Sequence, residues 1–126
     1  MSADSAPSAE DAAEALKLRL REDLRNAMRA RAAAETAILR ALIAALDNAQ
    51  AVPLPPGHQR YVEHAFGDRA AEVPRLRLDA AAVRRLIEQE AKSRADAADE
   101  FDRLGRPDRA ADLRAQAAIV ARYVAG

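Results

Sequence analysis

Two segments in the first half of the chain show the apolar periodicity of amphipathic helices. The first runs from about Asp11 to Ala30, and its apolar residues recur at spacings of three and four: Leu16, Leu20, Leu24, Ala27 and Met28. The second runs from about Ala33 to Ala49 with a wider stripe: Ile38, Leu39, Leu42, Ile43 and Leu46. Such spacing places the apolar residues on one face of a helix. Because the break between the segments is short, we predict an antiparallel helical hairpin.

The last third of the chain predicts a second hairpin. Asp79 is a good N-cap for a third helix, and Gly105 suits a left-handed position at its end. The apolar face of this helix is marked by Val83, Leu86, Ile87, Ala91, Ala98, Phe101 and Leu104. Pro107 fits the first turn of a fourth helix, whose apolar positions are Leu113, Ala117, Val120 and Val124.

The two predicted hairpins are joined by a connection over residues 51–78 that is rich in proline and glycine. It contains Pro53, Pro55, Pro56 and Pro74, together with Gly57 and Gly67. Proline has no amide donor and fixes φ, so no continuous helix is expected there. Residues 1–10 lack periodicity and are expected to be a disordered tail. The predicted fold is therefore an all-α bundle of two helical hairpins, with four main helices in one domain over residues 11–126.

Composition narrows the classes of function. The chain has 20 basic and 20 acidic residues, whereas a dedicated nucleic-acid-binding protein usually has a basic excess. The absence of cysteine excludes disulfides and thiolate chemistry. The first ten residues do not resemble a secretory signal, and no apolar run approaches the roughly 18 residues that span a membrane. We expect a cytoplasmic protein that does not insert into membranes.

The residues give little support to a catalytic or metal site. His58 and His64 lie in the proline-rich connection, and a metal site there would also need Glu63 or Asp68. Solvated loop histidines are the commoner explanation of this pattern. We therefore expect no metal and no cofactor. An enzyme that uses His64 and Asp68 stays as the least favoured alternative, because nothing in the sequence orients these groups.

Charged residues suggest either solvated helix faces or a phosphate-binding surface. Three pairs at a spacing of four predict exposed ion pairs on the third helix: Arg84 with Glu88, Glu90 with Arg94, and Asp99 with Arg103. Arg21, Arg25 and Arg29 form a ridge along the first helix, and Arg40 lies on the second. Such a ridge can follow phosphates, although no aromatic residues are interleaved for base stacking.

Three motifs, in order along the chain, resemble one family. The stretch from Leu16 to Arg31 is similar to its opening helix, and the stretch from Ile38 to Leu46 is similar to its "LRxLxxAL" second helix. Glu90-Ala91-Lys92-Ser93-Arg94, then Phe101, then Gly105-Arg106-Pro107-Asp108 with Leu113 downstream, is similar to its "E-x-K-x-R … F … G-R-x-D" hairpin. On these motifs the chain resembles the YqeY-like proteins, which are related to the tail domain of the GatB subunit of glutamyl/aspartyl-tRNA amidotransferase.

The resemblance covers roughly residues 16–124 without the connection, and it implies a non-catalytic accessory module. Such a module would bind tRNA or a tRNA-handling enzyme, and a label of carbon–nitrogen ligase with glutamine as amido donor would belong to the larger enzyme. Phosphate contacts would come from Arg21, Arg25, Arg29, Arg40, Lys92, Arg94 and Arg106. Family members usually continue into a second helical domain, and their connection is shorter. The alternative is a protein–protein adaptor or a homodimer, because narrow Leu and Ala stripes can leave apolar surface uncovered.

Overall fold

The structure, a computed structural model, describes residues 12–51 and 75–124 and contains four helices in these two ranges. They are α1 (Ala12–Arg29), α2 (Ala33–Gln50), α3 (Ala80–Arg103) and α4 (Pro107–Ala121). The all-α fold and the two hairpins are thus confirmed. The tail over residues 1–10 and most of the connection, with His58, Glu63, His64 and Asp68, lie outside the described residues.

The second hairpin is shaped by the capping residues that the sequence predicted. Oδ1 of Asp79 accepts a hydrogen bond of 2.8 Å from the amide of Ala82 and so caps the start of α3. At the end of α3, Gly105 takes a φ of +77°. The amides of Gly105 and Arg106 donate to the carbonyls of Asp102 and Phe101, which is the Schellman arrangement. Pro107 opens α4, where its missing amide costs no hydrogen bond.

The first hairpin turns in the same way, but without a glycine. Arg31 has a φ of +57° and occupies the left-handed position that Gly105 fills in the second hairpin. The amide of Arg31 donates to the carbonyl of Met28, and the amide of Ala32 donates to that of Ala27. Two Schellman turns therefore reverse the chain, and a non-glycine residue bears the cost of the left-handed conformation in one of them.

The core lies between the two hairpins and is almost entirely aliphatic. Its fully buried apolar side chains with the largest volumes are Leu20, Leu39, Leu42, Leu46, Ile87 and Val120. All six lie on the predicted apolar stripes. Ala98 and Ala110 are also fully buried. Because alanine has a small side chain, these two positions allow close packing between α3 and α4.

Two large residues of the predicted stripes are exposed. Met28 is 49% exposed and Leu104 is 63% exposed, so their assignment to the apolar face was wrong. Both lie at the very end of a helix, immediately before the turn of a hairpin. Periodicity alone does not show how far the buried contacts extend towards each end of a helix.

The described ends of the connection meet at the C-terminal end of α2. The amide of Leu76 donates to the carbonyl of Gln50, at 2.8 Å, and an isolated antiparallel bridge joins Ala51 and Arg75. These contacts place residues 75–78, which precede α3, beside the end of α2. The chain therefore enters the second hairpin next to the point where it leaves the first.

Candidate functional site

The three candidate cations of the second hairpin are paired with carboxylates. Nζ of Lys92 lies 2.7 Å from Asp96, and Arg106 lies 3.6 Å from Asp108. The hydrogen bond from Lys92 to Asp96 raises the pKa of the lysine. Arg94 lies 2.9 Å from Glu90, as predicted, and only 17% of its side chain is exposed. These three groups already have acidic partners, which weakens their attraction for an external phosphate.

The other ion pairs of α3 follow the prediction only in part. Arg84 pairs with Glu88 at 3.1 Å, as expected from their spacing. The predicted pair between Asp99 and Arg103 is wrong, because Arg103 pairs with Glu100 instead. Arg114 of α4 lies 2.9 Å from Asp99 and 2.7 Å from Asp102. Arg114 of the neighbouring helix therefore pairs with Asp99, the carboxylate that the spacing predicted as the partner of Arg103.

The candidate arginines of the first hairpin are exposed and form no salt bridge within the described residues. We call Arg21, Arg25, Arg29 and Arg40 the arginine ridge. All four are exposed, and none forms an ion pair with residues 12–51 or 75–124. Arg29 donates to the side chain of Asn26 at 3.0 Å, which is a neutral partner. No salt bridge of the described residues therefore neutralises the positive charge of the ridge.

One contact and one electrostatic interaction relate the ridge to the two helices of the first hairpin. Nη2 of Arg40 lies 3.8 Å from the sulfur of Met28, so Arg40 of α2 lies beside the last turn of α1. Near the other end, the pKa of Asp47 on α2 is lowered chiefly by the hydrogen bond from Lys17, and the charge of Arg21 adds to this effect. The ridge thus follows the side of α1 that adjoins α2, and Met28 is exposed within it.

A buried lysine lies at the other end of the first hairpin, and the sequence pattern did not predict it. Lys17 is only 1% exposed. Its ammonium lies 3.0 Å from Glu14 and 2.9 Å from Asp47. These hydrogen bonds are the largest cause of the lowered pKa values of both carboxyl groups. The available signal was the position of Lys17, three residues before Leu20 and therefore on the flank of the buried stripe.

Gln50 completes this polar cluster. Its side chain is buried, and Nε2 donates to Glu14 at 3.3 Å. Its Oε1 is buried and has no hydrogen-bond partner among residues 12–51 and 75–124. Arg75 reaches the outer side of the cluster and lies 3.6 Å from Asp47. The cluster links α1, α2 and the start of the second hairpin through charge-assisted hydrogen bonds, which are stronger than those between neutral groups.

A half-open apolar groove lies on the opposite flank of the buried stripe of α1. Its volume is about 550 Å³, and it is bordered by the first two turns of α1, the first turn of α3 and the residues that follow α4. Its described lining residues are aliphatic except for Arg19, Arg84 and Tyr123. A pocket of this size and character is a common form of ligand site. We call it the apolar groove.

Tyr123, which follows α4, forms one wall of the groove and is held in place by two residues of α1. Its hydroxyl donates to Oδ2 of Asp23 at 2.6 Å, and the guanidinium of Arg19 lies 4.8 Å from the centre of its ring. Burial, and then the hydrogen bond to Asp23, raise the pKa of Tyr123 well above its ordinary value. A smaller cavity of about 320 Å³ also borders Arg19 and Tyr123, beside the ion pair of Arg122 with Glu35 at 3.3 Å.

No cluster suited to a metal ion and no helix able to cross a membrane occurs within residues 12–51 and 75–124. No protein-family model, curated protein or solved structure matches the chain. The resemblance to the YqeY-like proteins therefore depends on the three motifs alone, and the function has to be argued from the surfaces described above.

Proposed function

We propose that the chain is a non-catalytic accessory module that binds RNA through the arginine ridge. The observation that carries this proposal is the contrast between the two hairpins. The candidate cations of the second hairpin are paired with carboxylates, whereas those of the ridge are exposed and form no salt bridge in the described part of the chain. Unpaired guanidinium groups attract phosphates and hold them through bidentate hydrogen bonds.

The spacing of the ridge supports contact with a phosphate backbone. Arg21, Arg25 and Arg29 follow one another at intervals of four residues, which is about 6 Å along the helix axis. Phosphate contacts position an RNA but do not read its sequence. This agrees with the absence of aromatic side chains on the ridge. The resemblance to amidotransferase tail domains favours tRNA as the RNA to test first.

The test is the binding of fluorescently labelled bulk tRNA, followed by anisotropy across a salt series. We expect saturable binding that weakens linearly on a plot of log affinity against log salt concentration. Arg25→Glu should reduce the affinity roughly tenfold at low salt and lower the magnitude of the slope by about one. The double variant Arg25→Glu, Arg29→Glu should weaken binding further.

Arg85→Glu is the matched control, because it changes the net charge by the same amount. Arg85 is exposed on α3 and lies about 160° around the helix axis from the buried Ile87, so it faces away from the first hairpin. Equal losses of tRNA affinity in the Arg25 and Arg85 variants would show that binding depends on net charge and not on the ridge. Absence of tRNA binding at low salt would overturn the proposal.

A protein–protein adaptor is the second candidate, and one feature of the same surface favours it. Leu18 is 66% exposed and Met28 is 49% exposed. Both lie on the sides of α1 that carry the ridge. Exposed apolar side chains among unpaired arginines are also typical of a protein interface. Sedimentation across micromolar concentrations tests the homodimer: a single monomeric species would exclude self-association in that range.

A further inference from the structure

The apolar groove points to a second binding activity, separate from the arginine ridge. On α1, the residues that border the groove are Ala12, Ala15, Leu16 and Arg19, whereas Leu20 and Ala27 face the core. Arg25 of the ridge lies about 120° around the axis from Arg19. The groove and the ridge thus flank the buried stripe on its two sides, and a ligand in one leaves the other accessible.

Among residues 12–51 and 75–124, the charged residues that line the groove are Arg19 and Arg84, and both are cationic. Ala80 and Ala81, in the first turn of α3, also border it. The carboxylate of Asp79 caps the start of this helix, so Arg19 and Arg84 are the groups that attract an anion here. An apolar surface with a cationic rim is complementary to a molecule that combines an apolar body with an anionic end.

The cation best placed to bind that end is Arg19. Its guanidinium lies over the ring of Tyr123, and the hydroxyl of Tyr123 is in turn fixed by Asp23. Arg19 has no ion pair within the described residues. A side chain already ordered by stacking loses less conformational freedom on binding. Arg84 uses its Nε to bind Glu88, which leaves its outer nitrogens for a second acceptor.

The lining identifies the apolar body. Its described lining is mostly alanine, leucine and valine, and the one aromatic ring among these described residues, that of Tyr123, is already covered by Arg19. A flat aromatic base therefore has no free partner for stacking, whereas an alkyl chain fits the aliphatic surface. We propose that the apolar groove binds an amphipathic carboxylate, with the alkyl body between α1 and α3 and the carboxylate on Arg19 and Arg84.

Calorimetric titration of the full chain with decanoate tests the proposal. We expect saturable binding of one decanoate per chain. Decanol, which lacks the charge, should bind at least tenfold more weakly, and decyltrimethylammonium, which has the opposite charge, should not bind. Decanoate and decanol of equal affinity would contradict recognition of the carboxylate. No saturable binding of decanoate at millimolar concentration would overturn the site altogether.

Variants locate the binding in the groove. Arg19→Gln and Arg84→Gln should each weaken decanoate binding several-fold while leaving the affinity for decanol unchanged. Because Arg19 also contacts Tyr123, the Arg84 variant keeps the test valid if the first one folds poorly. Ala15→Phe should block both ligands by filling the groove, whereas Ala118→Phe, at an exposed position of α4 outside it, should not. Unchanged decanoate binding in Ala15→Phe would place the ligand elsewhere and overturn the proposal.

Discussion

The ammonium of Lys17 lies 2.9 Å from Asp47, and this contact joins α1 to α2 across 30 positions of the sequence. Lys17 is almost fully buried, whereas about half of the Asp47 and Glu14 side chains is in solvent. A buried ammonium without partners would be very costly, so the two carboxylates are required for the helix pairing seen here.

Replacing Lys17 by Met should lower the free energy of unfolding by about 1–3 kcal/mol. The variant keeps most of the side-chain volume but removes charge-assisted hydrogen bonds to two carboxylates. Lys92→Met is the matched control, since Lys92 is exposed and its pair with Asp96 should contribute little to stability. Urea unfolding followed by circular dichroism gives both values. Equal losses in the two variants would contradict a special role for the buried lysine.

The same cluster should make the stability of the protein sensitive to acid. The pKa values of Glu14 and Asp47 are lowered from 4.5 and 3.8, chiefly by their hydrogen bonds to Lys17. A carboxyl group whose pKa is lowered by folding contributes stability above its ordinary pKa and loses it as the pH falls through the folded value.

The difference in stability between the native chain and Lys17→Met should therefore be full at neutral pH and shrink as the pH falls below about 4. Urea unfolding at pH 7, 5, 4 and 3 measures this difference directly. A difference that stayed constant over this range would show that the charges of Glu14 and Asp47 do not contribute to it.

Tyr123 should resist ionisation as long as the protein is folded. Its pKa is raised by burial and by the hydrogen bond to Asp23, because both favour the neutral phenol. A group with a raised pKa contributes stability below its ordinary pKa, here 10.0, and loses it as the pH rises towards the folded value. The protein should therefore lose stability above about pH 10.

Ultraviolet titration of a Tyr61→Phe variant measures this shift, because Tyr123 is then the only tyrosine. Removal of the carboxylate in Asp23→Ala should bring the ionisation to lower pH. Tyr123→Phe should cost roughly 1 kcal/mol at neutral pH, through loss of the hydrogen bond, and should lack the alkaline loss of stability. Ionisation of Tyr123 near pH 10 in the folded chain would contradict the contact with Asp23.

The helices could be predicted from the sequence because their signals are local. Asp79, Gly105 and Pro107 each fix a helix end through their own backbone or side-chain chemistry. The pairing of Lys17 with Asp47 could not be predicted in this way, since it depends on the relative rotation of two helices. The groove could not be predicted from local sequence patterns either, because its walls come from three separate parts of the chain.

The ion pairs of the charged residues show the same contrast between contacts within one helix, which spacing predicts, and contacts between helices, which it does not. Spacing correctly predicted the pair of Arg94 with Glu90, which lie on one helix. It failed for Asp99, because Arg114 reaches this carboxylate from the neighbouring helix. Which arginines remain unpaired, and so available to a ligand, is a property of the packed bundle. The sequence proposed seven cations as one set, and the structure separates them into four without salt bridges in the described ranges and three with salt bridges.

The turn of the first hairpin could not be predicted either, because Arg31 carries no signal for its left-handed conformation. It has a φ of +57°, and Gly105 has a φ of +77° at the equivalent position of the second hairpin. A left-handed conformation costs a non-glycine residue about 1 kcal/mol, while glycine adopts it freely. Arg31→Gly should therefore raise the free energy of unfolding by up to about 1 kcal/mol, less the entropy that glycine adds to the unfolded chain.

Gly105→Ala should lower the free energy of unfolding by about 1 kcal/mol. A methyl group at this position meets no atom within 4 Å, so the loss would report the backbone conformation alone. The two substitutions should therefore have opposite signs in urea unfolding, although both act at the same position of a Schellman turn. If Arg31→Gly destabilised the protein as much as Gly105→Ala, the side chain of Arg31 would have to contribute contacts that outweigh its conformational cost.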